Sequence, residues 1–326
     1  MGGQLAFILR RLLLTIPMLF VMSVVVFLII RLVPGDPVRT MLAFRATDEN
    51  VAEVTRQLGL DRPLVEQYLK WAGALLRGDL GQDIVSHAPL AELLGQRLPV
   101  TIELTALAML LAVAVGVPLG IRAATGGRWT RALTEGFVVF GISVPDFWLA
   151  ILLVLLFSAT LALLPPSGYV PFADDPIGNL RYMALPVLTL AVGEAAYILR
   201  TTRGAITSVL GRPFVTFLRA KGISHERIVF GHALRNAGPS IVTVIGIQVG
   251  VLLGGAIIIE TMFALPGVGR LIVTAINQRN YPVVQVGILA GNIPRGAAVS
   301  LFMFPILAVI AFFVLRGVNR RNREEA

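Results

Sequence analysis

Charged and hydrogen-bonding side chains become informative where water is scarce, and several lie inside long apolar runs. Glu103, Asp146, Glu194 and Arg295 fall within such runs. A charge held there is costly and marks an ion or solute path, or a buried pair. Glu194 is the deepest, and with Gln248 and Arg295 it forms a candidate path; an ion pair between Glu194 and Arg295 is the competing role. Glu103 lies near the end of its run and reads as structural. Asp146 follows Pro145, and fits a helix cap or a packing role as well as a path lining. Other chemistries lack their parts. Cysteine is absent, which removes thiol catalysis, disulfides and cysteine metal clusters. His225 and His232 are too far apart for an i, i+4 metal pair, and with His87 they read as loop structure. Gly141-Ile-Ser143 continues into Val144-Pro145 and so is not a nucleophile elbow. The lysines are Lys70 and Lys221, and neither has the Gly before it and the Ser or Thr after it that a P-loop requires. If ATP is used, other subunits must bind it.

These residues sit in an unusual background. The chain has 326 residues, 56% hydrophobic and 14% charged, and a mean hydropathy of +0.80. Soluble domains carry about 25% charged residues, so a water-soluble enzyme is disfavoured, as is disorder. Crossing a bilayer takes about 20 mostly apolar residues in a helix. The apolar pattern predicts six spans, near 12–30, 98–121, 133–156, 182–199, 237–259 and 282–315. The first is too long for a signal-peptide core and lacks a small-x-small cleavage site, so it is expected to remain. The last is interrupted by Pro294-Arg295-Gly296.

Basic residues orient the spans. With both termini in the cytoplasm, more than half of the 28 Lys and Arg residues fall on the inner side. They are Arg10 and Arg11; Arg122, Arg128 and Arg131; the set from Arg200 to Arg235; and Arg316, Arg320, Arg321 and Arg323. The short outer loops hold Arg181, Arg270 and Arg279. The net charge of +9 is then a topological bias and needs no nucleic acid to explain it. Three parts follow: 1–33 with the first span; an extracytoplasmic helical region, 34–97; and a core, 98–326, with five spans. In the outer region Thr47 is placed to cap a helix that Gly59 stops. Pro63 is placed to start another carrying Leu64, Tyr68, Trp71 and Leu75, and Gly78 to end it.

The inner loop 203–236 is the richest in pattern. Pro213 starts a short helix with Phe214, Phe217 and Leu218, together with Arg219 and Lys221. Gly222 ends it. After Ile223, Ser224 caps a second helix through Ile228, Val229, Phe230 and Leu234. The result is a helical hairpin with an apolar and a basic face. It could lie on lipid, be solvated, or dock on a cytosolic protein. Its phenylalanines favour lipid or docking over solvent.

Phe214-Val-Thr-Phe-Leu-Arg-Ala-Lys-Gly-Ile-Ser224, followed by His232-Ala-Leu-Arg-Asn-Ala237, resembles the coupling loop of ABC importer permeases. The chain resembles in particular the first permease of dipeptide, oligopeptide and nickel uptake systems. Further matches follow in order from Arg10-Arg11-Leu12. They are Pro34-Gly35-Asp36-Pro37, Leu58-Gly-Leu-Asp-Arg-Pro63, Gly78-Asp-Leu-Gly81 and Arg97-Leu-Pro-Val-Thr101. Then come Ile142-Ser-Val-Pro145, Leu164-Pro-Pro-Ser-Gly168, Leu185-Pro-Val-Leu-Thr-Leu190, Glu260-Thr261, Pro266-Gly-Val-Gly269 and Tyr281-Pro-Val-Val-Gln285. The general Glu-Ala-Ala signature is replaced by Thr216-Phe217-Leu218, with Gly222 kept in place, and Glu194-Ala-Ala196 falls within a span instead. After Gln285 the pattern departs, at Gly291-Asn-Ile-Pro-Arg-Gly296.

The resemblance implies an all-α, six-span integral membrane permease in a bacterial or archaeal cytoplasmic (inner) membrane. Its partners would be a second homologous permease, two cytosolic ATPases that bind the ATP, and an extracytoplasmic substrate-binding protein. The chain itself would carry no cofactor and no ATPase site. The loop residues Phe214, Phe217, Leu218, Arg219, Lys221, Gly222, Ile223 and Ser224 would contact the ATPases. Peptides are the first substrate class implied, with nickel or another small solute as the alternative. An ion-coupled secondary transporter working alone is the rival class; it leaves the phenylalanine-bearing hairpin without a role.

Overall fold

A computed structural model describes residues 20–21, 23–28, 38–39, 46–57 and 59–290. Most of the first apolar run, the last run beyond residue 290, Arg295 and the basic tail lie outside the described residues. Those described are mostly helical, with one isolated antiparallel bridge between Gln82 and Pro89. In chain order the helices are α1 (Asp48–Gln57), α2 (Leu64–Leu76), α3 (Leu90–Thr125), α4 (Arg128–Ser143), α5 (Asp146–Val154), α6 (Pro176–Leu210), α7 (Pro213–Ala220), α8 (Leu234–Gly255), α9 (Ile257–Met262), α10 (Val268–Asn277) and α11 (Tyr281–Ala290). Wide π turns prolong α5 over Leu155–Thr160 and precede α8 over Arg227–Ala233. By length and apolar composition, three described helices can cross a membrane: α3, α6 and the continuous Arg227–Gly255. A fourth crossing is possible if the bent pair α4–α5 counts as one.

That pair occupies the span expected over 133–156, and the break at Pro145 is sharp. The axis turns by 102° between Ser143 and Asp146. The cause is local. Pro145 disfavours the helical region for the residue before it, and Val144 sits at ψ 121°. Pro145 itself is extended at ψ 137°, and its carbonyl then accepts from the Trp148 and Leu149 amides. Asp146 occupies the first turn of α5 without a side-chain cap bond. An acid there meets the positive end of the helix favourably.

The chain divides into two compact units. One comprises residues 1–99 and 267–292, the other 100–266 and 293–326. The first contains the two expected outer helices. The Thr47 hydroxyl accepts from the Asn50 amide at 3.3 Å, and Gly59 and Gly78 take positive φ after α1 and α2. Tyr68 and Trp71 of α2 face the helical residues 20–21 and 23–28. Tyr68 shares a 2.8 Å hydrogen bond with Ser23, and the Phe27 ring lies 5.3 Å from Tyr68 and 5.8 Å from Trp71. A second apolar cluster in this unit joins Leu80, Leu90 and Leu94 to Ala275, Tyr281 and Val284.

The second unit is organised around α6. Asp175 caps that helix, accepting from the Ile177 and Gly178 amides at 3.1 and 3.0 Å, and Pro176 occupies its first turn. Leu185, Ala196, Ile198 and Ile206 are fully buried along it. Neighbouring helices approach closely because they present glycine. A Cβ on Gly116 of α3 would stand 2.8 Å from the Ala195 carbonyl oxygen, and one on Gly120 would stand 2.9 Å from that of Leu199. On α4, a Cβ at Gly141 would lie 2.7 Å from the Ala196 methyl. Arg203 of α6 pairs with Glu135 of α4 at 2.6 Å.

Candidate functional site: a helical hairpin and a buried polar pair

The hairpin begins where α6 ends, at Leu210. Pro213 at the first position of α7 supplies a preset φ and removes an amide that would be unpaired. α7 closes with a Schellman motif: the Ile223 amide donates to the Leu218 carbonyl at 3.2 Å, and the Gly222 amide donates to that of Arg219 at 2.9 Å. This geometry needs a left-handed residue after the cap, and Gly222 has φ +74°. Leu218 and Ile223, the pair that commonly touch across this motif, are both half-buried.

Beyond the turn, the Ser224 carbonyl accepts from the Ile228 amide at 3.0 Å. The second arm is not the separate short helix that the pattern suggests. It runs through the π turn Arg227–Ala233 directly into α8. No proline or glycine between Ser224 and Phe230 stops it, and Gly231 is accommodated inside the π turn.

The hairpin has two unlike faces. Val215 and Ile228 are fully buried, and Val229 and Ala233 join a cluster with Ile121, Ile206, Val209, Ala237 and Ile241. On the other face Phe217 is 59% exposed, Phe230 60% and Phe214 36%. Of the apolar residues of the second arm, Ile228 and Val229 are buried and Phe230 is exposed. The Lys221 ammonium lies 4.7 Å from the Phe217 ring centroid, a cation–π distance. Arg212, Arg219 and Arg227 are also exposed on the hairpin. The hairpin thus exposes both aromatic and basic side chains and is anchored by its buried residues.

Of the candidate path residues, two meet. The Gln248 Nε2 of α8 donates to Glu194 Oε2 of α6 at 2.7 Å, and Glu194 is only 8% exposed. Asp146 is the third polar group nearby, within Coulombic reach of Glu194; its Oδ1 would lie 3.5 Å from a Cβ on Gly193. Arg295, the other expected partner of Glu194, lies outside the described residues.

Other polar contacts join segments distant in sequence, and no local pattern announces them. Thr101 donates to the buried Glu260 at 2.6 Å. Glu103, read as structural, accepts from the Tyr169 hydroxyl at 2.9 Å. Burial first, then the hydrogen bond to Glu103 and its charge, push the Tyr169 phenol up to about 12. Asp83 accepts from the Val85 amide and the Ser86 hydroxyl at 2.8 and 2.6 Å, and from the Asn280 amide group. Burial opposes ionisation of Asp83, but these donors together outweigh it and hold the carboxyl below its usual range. No group of three potential metal ligands exists among the described residues.

Comparison with known proteins adds three findings. Residues 116–324 match the family model of the binding-protein-dependent transport system inner membrane component, and residues 4–105 match its N-terminal counterpart. The chain is 41% identical over 281 residues to a peptide transport system permease protein of Brucella abortus, covering 86% of this chain and 90% of that one. It is 39% identical over 311 residues to the dipeptide transport system permease protein DppB of Escherichia coli, covering 88% and 92%. Its fold resembles a chain in the crystal structure of an amino acid ABC transporter with histidines, at a TM-score of 0.50 and 16% identity, covering 65% of this chain and 94% of that one.

Proposed function

We propose, from the premise that this chain belongs to the family of binding-protein-dependent transport system inner membrane components, that it is the peptide-translocating permease of an ATP-driven importer. The observation that carries the coupling role is the hairpin. Its buried face ties it to the helical unit, while three phenylalanines and several basic residues stand exposed on it. Aromatic and arginine side chains of this kind are the usual anchors of protein interfaces. The partner is a pair of cytosolic ATPases, and ATP is bound there.

In this reading six spans cross the cytoplasmic membrane with both termini inside, as the positive-inside bias requires. A second homologous permease completes the path, and an extracytoplasmic binding protein delivers the peptide. The hairpin is flanked by the two helices that carry the buried polar pair. Its first arm follows α6, which bears Glu194, and its second arm is continuous with α8, which bears Gln248. Movement of the docked hairpin on ATPase closure therefore reaches that pair through unbroken helix. Glu194, Gln248 and Arg295 are the groups offered to the passing solute.

Reconstitution tests the proposal. In proteoliposomes holding both permeases and the ATPases, peptide-loaded binding protein is expected to stimulate ATP hydrolysis and uptake together. The chain purified alone is expected to bind no ATP. Saturable ATP binding by the isolated chain, or uptake driven by an ion gradient without ATP, would contradict it.

A further inference from the structure

We infer that the start of α4 is a binding site for an anionic phospholipid, with Arg122, Arg128 and Arg131 holding the headgroup phosphate and an exposed apolar face of the same helix holding an acyl chain. The inference rests on the chain being a membrane protein. It needs neither the ATPase docking nor the peptide substrate.

The three arginines lie on either side of the short turn between α3 and α4. Arg122 lies in the last turn of α3, and its carbonyl accepts from the Gly126 amide at 2.7 Å. α4 begins at Arg128, immediately after Gly127. Arg122, Arg128 and Arg131 are all exposed, and none takes part in an ion pair among the described residues. The nearest acid on α4, Glu135, is engaged by Arg203. The first turn of α4 contains no acid, and no side chain caps it. Its leading amides add positive potential to that of the arginines.

The rest of α4 supplies the second half of the ligand. Thr134 and Gly141 mark its buried face. On the opposite side, Trp129 is 82% exposed, Leu133 74%, Val139 64% and Phe140 44%. Trp129, Leu133 and Phe140 recur at helical spacing and form a stripe leading away from the charged turn. Tryptophan at the boundary between charge and hydrocarbon is the usual arrangement at a membrane interface. A free phosphate would use only the arginines, and a zwitterionic lipid would bring its own cation against them. An anionic phospholipid satisfies both halves.

The chain contains three tryptophans, so Trp71→Phe with Trp148→Phe leaves Trp129 as the sole reporter. The full chain is placed in nanodiscs, and Trp129 fluorescence is quenched with brominated phosphatidylglycerol or brominated phosphatidylcholine at equal mole fractions. Phosphatidylglycerol is expected to reach half-quenching at a mole fraction at least about tenfold lower. Each arginine near an anionic surface contributes roughly a fivefold preference. In the variant combining Arg122→Gln, Arg128→Gln and Arg131→Gln the two curves are expected to coincide. The matching lysine variant is expected to keep the preference. ATPase co-purification is expected to survive both sets, which separates this inference from the docking proposal. Coinciding curves in the parent, no quenching by either lipid, or relief of quenching by millimolar inorganic phosphate would each overturn it.

Discussion

The surface of α6 and the surface of the hairpin belong to the same helical unit but are built on opposite rules. Around α6 the residues are small where helices meet. Gly116, Gly120 and Gly141 leave notches that the Ala195 and Leu199 carbonyls and the Ala196 methyl fill, so the surface is closed by this chain itself. On the hairpin the residues are large where nothing closes them. Phe217 and Phe230 are more than half exposed, within two turns of the fully buried Val215 and Ile228. In a bilayer, apolar area alone does not drive helices together, and close packing does. Exposed phenylalanines and cations on a tightly anchored turn fit the proposed docking of a second protein.

The contrast is broken most severely at the notches. Gly120→Leu would push a side chain into the Leu199 carbonyl and Thr202. It is expected to destabilise the chain by about 3 kcal/mol, the upper end for overpacking, read as a loss of folded protein in detergent unfolding. A wild-type unfolding midpoint would mean that α3 and α6 are not in close contact there.

The buried pair sharpens the contrast at smaller scale. Gln248→Leu removes the amide donor to Glu194 and is expected to cost about 1–3 kcal/mol. Adding Glu194→Gln should recover part of that loss, and the double-mutant cycle measures the coupling. Strict additivity would show that the two side chains act independently.

The smallest effect is expected outside the helical core. Asp83 has its carboxyl held below the ordinary 3.8, so it contributes stability that is fully present above that value. The contribution is lost as pH falls through the depressed folded value. Asp83→Asn should therefore flatten the acid limb of stability below about pH 4 and leave neutral pH little changed. An unchanged acid limb would remove Asp83 from that role.

Much of this was legible in the sequence, for identifiable reasons. Local signals placed α1 and α2: Thr47, Gly59, Pro63 and Gly78 act within one turn of themselves. Gly222 was legible because one turn geometry demands positive φ. The continuity of the second arm with α8 was not, because no local signal marks the π turn over Arg227–Ala233 that joins them. The 102° turn at Pro145 was visible only as a break, since proline marks where a helix stops and not where the next one points. Glu194 stood out as a deep acid, but its bond to Gln248 joins residues 54 apart, and side-chain pairing over that separation leaves no local trace. The same holds for Thr101 with Glu260 and Asp83 with Asn280.

The hairpin's role is tested most directly by Phe217→Ala and Gly222→Val, with ATPase co-purification and substrate-stimulated hydrolysis read side by side. Truncating an aromatic at an interface centre costs about 2 kcal/mol or more, roughly a thirtyfold weaker association. A Cβ-branched residue at φ +74° strains the turn itself. Both variants are expected to insert and stay folded, Gly222→Val with a slightly lower unfolding midpoint, to retain the ATPases poorly, and to lose stimulated hydrolysis and uptake together. Assembly and transport at parental levels in both would contradict the assignment of this hairpin as the coupling element.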